Sequence, residues 1–228
     1  MNLVIDSGNT RIKTGLFDGR KLKASKIFGS QQTELIKNFI ASEKPERLLI
    51  SDVSGKLNAK KFKAENILFL TEKTPMPIRI RYSPLKNLGK DRICNAVAAD
   101  SLFPNSTILI IDCGTALKID LVEKKVFKGG SIAPGMKMRF ESLHRFTASL
   151  PLIKPDQEFG IAGNSTRESI LSGVLFGMLS EMENRIRIYR KELTGGDWPW
   201  FVNHLKYPIF AAPELTLIGL NEILLFQK

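Results

Sequence analysis

Histidine and cysteine are scarce in this chain of 228 residues, which carries only two of each. His144 and His204 have no carboxylate or cysteine at metal-ligand spacing, so neither a histidine-based metal site nor a Ser-His-Asp triad is expected. Cys94 and Cys113 stand alone without C-x-x-C spacing, which indicates neither a disulfide framework nor a zinc site. We expect both cysteines to be small, buried, apolar residues.

Long hydrophobic runs are also missing from the chain. No stretch of about 18 apolar residues is present, and the N-terminus lacks a basic segment followed by an apolar stretch and a cleavage site. With 43% hydrophobic and 25% charged residues, the composition is typical of a globular protein with one large or two small domains. These features predict a cytoplasmic protein with no membrane segment.

Acidic residues are outnumbered by basic ones, and the excess lies in the N-terminal half. Residues 1–100 carry 19 Lys or Arg against 10 Asp or Glu, whereas residues 101–228 carry 15 against 13. A basic half is compatible with nucleic acid, a membrane surface or small anionic substrates. The cluster KLNAKKFK at 56–63 is short and lacks aromatic residues at a stacking interval. It therefore favours a solvated basic face over a nucleic-acid groove.

The first 19 residues, MNLVIDSGNTRIKTGLFDG, have the pattern of a β-hairpin with a turn at Ser7–Asn9. An ordinary hairpin explains the apolar residues on both sides of the turn. The turn itself suggests a ligand, because Gly8 lets backbone come close to a bound group. Asn9, Thr10 and Lys13 supply the donors that a phosphate needs.

A similar phrase occurs a second time in the chain. LVIDSGNT at 3–10 aligns with LIIDCGTA at 109–116, which superposes Asp6 on Asp112 and Gly8 on Gly114. This weak duplication indicates two similar α/β halves, which we place at residues 1–104 and 105–228 because Pro104 breaks the pattern. Neither the G-x-x-x-x-G-K-[ST] loop nor the G-x-G-x-x-G loop is present.

Hydrophobic periodicity predicts the main elements of each half. Helices are expected over 31–44, 90–103, 136–146 and 165–193, and buried strands over 46–53, 65–70 and 208–212. The first helix would carry an apolar stripe of Leu35, Ile36, Phe39 and Ile40.

Eight short segments follow one another in the order seen in a known family. They are Asp6 with GNT at 8–10 and Lys13, GKDR at 89–92, DCGTA at 112–116, GGSIAPG at 129–135, TASLP at 147–151, GNSTRESILSG at 163–173, TGGD at 194–197 and the closing LTLIGL. Together they resemble the type III pantothenate kinases, which belong to the superfamily of actin, Hsp70 and the sugar and acetate kinases. The resemblance extends over nearly the whole chain.

The resemblance implies an α/β fold of two similar ribonuclease H-like, actin-like ATPase domains with a nucleotide cleft between them. It implies transfer of the γ-phosphoryl group of ATP to the terminal hydroxyl of pantothenate, the first committed step of coenzyme A synthesis. The cofactors that it implies are ATP with Mg²⁺ and a monovalent cation, K⁺ or NH₄⁺. It also implies a homodimer, and neither membrane nor nucleic-acid binding is expected.

The resemblance further implies roles for individual residues. ATP would be bound by Asp6, Ser7, Gly8, Asn9, Thr10, Arg11, Ile12, Lys13 and Thr115. Pantothenate would be bound by Tyr82, Gly89, Lys90, Asp91, Arg92 and, across a dimer interface, Thr166. Asp91 would be the proton acceptor and Asp112 the ligand of the monovalent cation, while glycines at 129, 130, 195 and 196 would admit the nucleotide.

Some of these residues also have an ordinary structural explanation. Asp91 lies at a predicted helix N-terminus, where the helix dipole stabilises a carboxylate. Gly89 and Arg92 also match the family pattern, and this favours the role of Asp91 as base. Thr166 could simply belong to a helix N-cap region, and Tyr82 could be a packing residue. Asp120 could assist the cation site or be a strand-edge charge.

Lys118 departs from the family pattern, which usually has a threonine at this position of GTALKID. Its ammonium beside Asp112 and Asp120 could occupy the place of the cation, contact phosphate or point to solvent. We hypothesise that Lys118 relaxes the potassium requirement.

Two other functions compete with the kinase. A different phosphotransferase or phosphatase of the superfamily would explain the paired turns but not GKDR together with Tyr82. A non-catalytic regulator or nucleic-acid binder would fit the basic charge, but the presence of Asp6, Asp91, Asp112 and Thr115 argues against an inactive site.

Overall fold

The structure, a computed structural model, describes residues 1–8, 11–53, 55, 57, 62, 66–156, 158–189, 204–205, 210 and 212–227. Its strands are β1 (Asn2–Ser7), β2 (Arg11–Asp18), β3 (Lys21–Gly29), β4 (Arg47–Asp52), β5 (Ile67–Phe69), β6 (Arg79–Ile80), β7 (Thr107–Cys113), β8 (Ala116–Glu123) and β9 (Val126–Pro134). Its helices are α1 (Thr33–Glu43), α2 (Lys90–Leu102), α3 (Met136–Phe146), α4 (Thr166–Leu171), α5 (Gly177–Tyr189) and α6 (Leu215–Phe226). A π-helical turn, Ser172–Phe176, joins α4 to α5.

The chain divides into two compact units. The first contains Met1–Ser106, Lys124–Phe127 and Glu214–Lys228, and the second contains Thr107–Glu123 and Lys128–Pro213. The first break lies close to the predicted boundary at 104/105. The C-terminal segment differs from the prediction, because α6 packs on α2 and the first sheet instead of joining residues 105–213.

The first unit is built on a five-stranded sheet of order β3-β2-β1-β4-β5. β1 runs antiparallel to β2 and parallel to β4, so it is a central strand and its apolar residues are buried on both faces. Leu3 and Ile5 belong to the same core cluster as Ile36 and Ile40 of α1. Helix α6 packs against β1, where Asn2 donates a hydrogen bond to Asn221 at 3.1 Å.

The second unit contains β7, β8 and the greater part of β9, which are neighbours in the order β9-β8-β7. β7 and β8 form an antiparallel hairpin. Leu109, Ile111 and Ile119 of this hairpin share a core cluster with Val174 of the π-helical turn and Met178 of α5. A helix-side core thus supports β7, the strand that carries Asp112 next to its last residue.

The predicted elements agree with the structure in most places. Each predicted helix is present, with boundaries at 33–43, 90–102, 136–146 and, with the π-helical turn inside it, 166–189. The prediction for Leu35 was wrong: its side chain is 50% exposed, while Ile36, Phe39 and Ile40 form the buried face of α1. The predicted strand at 208–212 falls mainly on residues outside the described part.

In the described part of the chain, no helix is both long and apolar enough to cross a bilayer.

Candidate active site

The turn between β1 and β2 lies at the carboxyl end of the first sheet. Because β1 and β4 are parallel and in register, Asp6 lies beside Ser51 and Ser7 beside Asp52. The N–H of Gly8 donates to the carbonyl of Arg11 at 3.0 Å and closes the turn. Asn9 and Thr10, which were predicted to bind ATP, lie outside the described residues; Ile12 is fully buried in the core.

The start of α2 reaches the same end of the sheet. The Lys90 ammonium donates to the carbonyl of Asp52 at 3.0 Å, which ties the helix N-terminus to the end of β4. The Asp91 carboxylate accepts from the N–H of Arg92 at 2.9 Å. A Cβ at Gly89 would lie 2.6 Å from Asp91 Oδ1, so glycine leaves the space that this carboxylate occupies.

Cys94, one turn further along α2, interacts electrostatically with both Asp6 and Asp91. Its thiol is fully buried, and burial is the main cause that raises its pKa well above the ordinary value. The negative charges of Asp6 and then Asp91 raise that pKa further. Both carboxylates therefore act electrostatically on the same thiol.

Arg92 lies in an aromatic setting that sequence reasoning missed in part. Its side chain is only 4% exposed, and its guanidinium lies 5.4 Å from the ring centroid of Tyr82 and 5.7 Å from that of Phe127. Phe127 is brought there because Arg81 donates its N–H to the Phe127 carbonyl at 3.0 Å. No motif marks Phe127, since only the pairing of β6 with β9 makes it a neighbour of Tyr82.

The second hairpin places an acid opposite a base. Asp112 of β7 is paired in register with Lys118 of β8, and the Lys118 ammonium lies 2.5 Å from Asp112 Oδ2. Both side chains are largely shielded, with exposures of 17% for Lys118 and 19% for Asp112. This pair stands at the position where the resemblance places a monovalent cation.

The turn that carries Thr115 is held by the end of β9. The N–H of Gly135 donates to the Thr115 carbonyl at 3.1 Å. A Cβ at Gly135 would lie 2.1 Å from the Gly114 carbonyl oxygen, so no other residue allows this approach. The GGSIAPG segment therefore shapes the DCGTA turn.

Two further sequence interpretations change with the structure. β8 lies between β9 and β7 and Asp120 is 3% exposed, so Asp120 is not a charge on an edge strand. A Cβ at Gly130 would lie 2.0 Å from the Ile119 carbonyl oxygen, so this glycine is already required by strand packing. Gly195 and Gly196 lie outside the described residues.

Thr166 opens α4 and lines an open cavity of about 950 Å³ in the second unit. The helix is capped by Ser165, whose hydroxyl accepts from the N–H of Glu168 at 3.2 Å. Thr166 is itself exposed, as is expected of a residue that meets a ligand or another chain. The cavity also contains Arg139 of α3, which bridges to Glu181 of α5 at 2.8 Å.

Within the described residues, no group of three or more His, Cys, Asp or Glu side chains is arranged to hold a metal ion.

Comparison with known proteins identifies both a family and a fold. The sequence model of type III pantothenate kinase matches residues 2–187. A type III pantothenate kinase from Cytophaga hutchinsonii is 42% identical over 233 residues, which covers 98% of each chain.

Solved structures resemble the chain at much lower identity. A candidate Baf family transcriptional activator from Campylobacter jejuni aligns with a TM-score of 0.66 and 19% identity, over 97% of this chain and 96% of that one. A candidate 2-dehydro-3-deoxygalactonokinase from Sinorhizobium meliloti aligns with a TM-score of 0.61 and 12% identity, over 100% of both. At such identities these structures show the fold alone, and they confirm the predicted α/β fold of the actin-like ATPase type.

Proposed function

The chain belongs to the type III pantothenate kinases, and we propose that it transfers the γ-phosphoryl group of ATP to the terminal hydroxyl of pantothenate. Membership of a kinase family implies the use of ATP with a divalent metal ion. The observation that carries the proposal for this chain is that Asp6 of β1 and the first turn of α2, with Asp91, lie at the same end of the first sheet, where Lys90 donates to the carbonyl of Asp52. The expected cytoplasmic location remains a prediction.

Asp91 is the proton acceptor in this proposal. Its carboxylate takes the proton of the pantothenate hydroxyl while that oxygen bonds to the γ-phosphorus and ADP leaves. Phosphoryl transfer needs little covalent help from the protein, so alignment of the reactants supplies most of the rate, roughly 7 to 11 kcal/mol of barrier reduction.

The phosphate chain is assigned to the glycine turn that follows β1. Asp6 stands at the end of β1, with Ser7, Gly8, Arg11 and Lys13 around the turn that follows it. The Asp6 carboxylate is a suitable oxygen donor for Mg²⁺, which usually keeps several waters and binds substrate phosphates together with one or two carboxylates. When bound, Mg²⁺ would reduce the negative charge of the phosphates. Thr115, and Asn9 and Thr10 by resemblance, complete the ATP contacts.

The acceptor substrate is assigned to the region around the first turn of α2. Backbone groups and charged side chains are available there from Gly89, Lys90 and Asp91. Tyr82 lies beside the buried guanidinium of Arg92. Because that guanidinium packs on an aromatic ring, it holds the ring and its own position before any ligand arrives. In this proposal Arg92 contributes mainly by fixing Tyr82.

A second copy of the chain completes the proposal. Thr166 is exposed at a cavity of about 950 Å³, and the same unit exposes large apolar side chains, among them Phe146 at 80%, Ile161 at 77% and Leu152 at 54%. Large apolar side chains left in solvent are candidates for contact with another chain. We assign this surface to a homodimer interface that brings Thr166 to the pantothenate of the partner.

A coupled assay of ADP release tests the proposal. Pantothenate should be phosphorylated in preference to a panel of other small alcohols and acids. Asp91→Asn should lower turnover by about two to four orders of magnitude, because an amide cannot accept the proton. The Asn oxygen can still accept from the Arg92 N–H, so unfolding free energy and nucleotide affinity should remain nearly unchanged.

Asp18→Asn is the matched control, since Asp18 is an exposed aspartate at the far end of β2 and should retain turnover. Near-normal turnover of Asp91→Asn would exclude Asp91 as the base. DNA binding that weakens steeply with salt, without any ATP turnover, would contradict the kinase assignment and favour a regulator.

A further inference from the structure

The ion pair between Lys118 and Asp112 does not fit the monovalent cation that the resemblance implies. A bound K⁺ would take the Asp112 carboxylate as an oxygen ligand, but Oδ2 of that carboxylate already lies 2.5 Å from the Lys118 ammonium. Two cations at the same oxygen would repel each other strongly in a site that is more than four-fifths shielded on both side chains. A K⁺ ion at Asp112 would therefore have to displace Lys118.

The register of the hairpin makes this pairing a built feature. Asp112 and Lys118 are direct cross-strand partners in the antiparallel pair of β7 and β8. Opposite charges at such positions stabilise each other because their Cβ atoms are held a few ångströms apart by the sheet. Strand pairing thus places Lys118 opposite Asp112, so their contact does not depend on one rotamer of a long surface side chain.

The first hairpin of the chain shows the same arrangement. Asp6 of β1 is the direct cross-strand partner of Lys13 of β2, just as Asp112 is the partner of Lys118. In each hairpin the acid precedes a glycine turn, formed by Gly8 in one case and Gly114 in the other. Lys118 therefore repeats in the second unit the acid–turn–base design whose first copy is assigned to ATP phosphate.

We propose that the Lys118 ammonium is the resident cation of the Asp112 site and supplies the positive charge there that nucleotide binding needs, so that this enzyme requires no K⁺ or NH₄⁺. The proposal rests on the proposed function, because it takes the Gly114–Thr115 turn to be an ATP contact. Lysine suits the role, since its ammonium is a compact point charge with the charge and approximate size of the ions that it replaces.

Nucleotide affinity in different monovalent salts tests the proposal. Binding of a non-hydrolysable ATP analogue with Mg²⁺ is measured by calorimetry in potassium, sodium and tetramethylammonium chloride at equal ionic strength. The wild-type affinity should be nearly the same in all three salts. Lys118→Thr should bind about tenfold or more weakly in tetramethylammonium, because Asp112 loses its partner, and potassium should restore the affinity.

Lys128→Thr is the matched control. Lys128 lies in β9, the neighbour of β8, and its ammonium pairs with Glu123 at 2.9 Å. This pair lies at the end of β8 opposite to the Gly114–Thr115 turn. It should bind the nucleotide like the wild type in every salt. Thallium(I) NMR provides a direct readout besides nucleotide affinity: Lys118→Thr should acquire a protein-bound thallium signal, with or without nucleotide, that the wild type lacks.

The outcomes separate the two proposals. A wild-type affinity that rises about tenfold with potassium, or a bound thallium signal in the wild type, would overturn the role of Lys118 and leave the kinase assignment intact. Equal affinities of Lys118→Thr and wild type in tetramethylammonium would also overturn it, since the ion pair would then be only structural. Failure to bind the nucleotide in any salt would overturn both proposals.

Discussion

At the scale of single residues, the carboxylates of the first unit differ in how deeply they are buried. Asp6 and Asp91 are only half-buried. Asp100, on the later part of α2, is 6% exposed, and its Oδ1 has no hydrogen-bond partner among the described residues. Burial raises the pKa of Asp100 above 3.8, and Lys125 offsets the rise only in part.

The raised pKa of Asp100 predicts how stability depends on pH. The folded state binds the Asp100 proton more tightly than the unfolded state, so this contribution to stability is present at low pH and is lost as pH rises through the folded pKa. Asp100→Asn removes the buried charge and should increase the free energy of unfolding above that pKa by about 1 kcal/mol. Urea unfolding between acidic and neutral pH measures the effect.

The Asn side chain can still accept the backbone N–H of Lys125, so the comparison isolates the charge. Asp18→Asn makes the same substitution at an exposed position and is the matched control. If Asp100→Asn and the wild type lost stability in parallel as pH rises, burial would not be the cause of the shift.

At the scale of elements, the contact between α2 and α6 holds the helix that begins with Lys90 and Asp91 in place. Gly219 of α6 lies against the backbone of α2, where a Cβ would be 1.9 Å from the carbonyl oxygen of Cys94. Asn221 of α6 also donates to the carbonyl of Gly19 at 2.9 Å, and Glu222 accepts two hydrogen bonds from Arg20, at 2.8 and 3.1 Å. The C-terminal helix thus packs against α2, which carries Asp91, close to the first turn of α2.

Gly219→Ala should therefore be destabilising, although alanine is the better helix former. The added methyl group meets backbone, which cannot rotate away, so we expect a loss of about 1 to 3 kcal/mol in the free energy of unfolding. Urea denaturation measures it. Gly177→Ala at the start of α5, where an added Cβ meets nothing within 4 Å, should be neutral or slightly stabilising. Equal free energies of unfolding for the two variants would show that the close contact between α2 and α6 does not contribute to stability.

At the scale of the whole molecule, the exposed apolar side chains of the second unit predict self-association. Phe146→Asp puts a charge into the surface assigned to the dimer and should raise the dimer dissociation constant about tenfold or more. Phe226→Asp makes the same change at a phenylalanine of α6 that is 50% exposed in the first unit, and should leave the dimer intact. Sedimentation velocity over a concentration series distinguishes them. A wild-type monomer at every concentration would contradict the dimer and, with it, the role of Thr166.

Local patterns were enough to predict α1 to α5, because a run of apolar residues at helical spacing is a property of neighbours in sequence, but the closing segment that forms α6 was not predicted as a helix. The same patterns misplaced Leu35, which lies next to the buried face of α1 but outside it. They also divided the chain into two continuous halves, whereas α6 returns to the first unit. Return of a distant segment depends on which surface it buries, and sequence spacing contains no such information.

The sequence by itself determined the family, the order of the acid and glycine turns, and the residue types available for phosphate transfer, since each of these is written in short contiguous segments. Only the tertiary structure decided which of those groups are neighbours. It brings the start of α2 to the ends of β1 and β4, places Arg92 against Phe127 as well as Tyr82, and pairs Lys118 with Asp112. The physical reason is that strand register and helix packing, which join residues far apart in the chain, set the distances over which charges and rings interact.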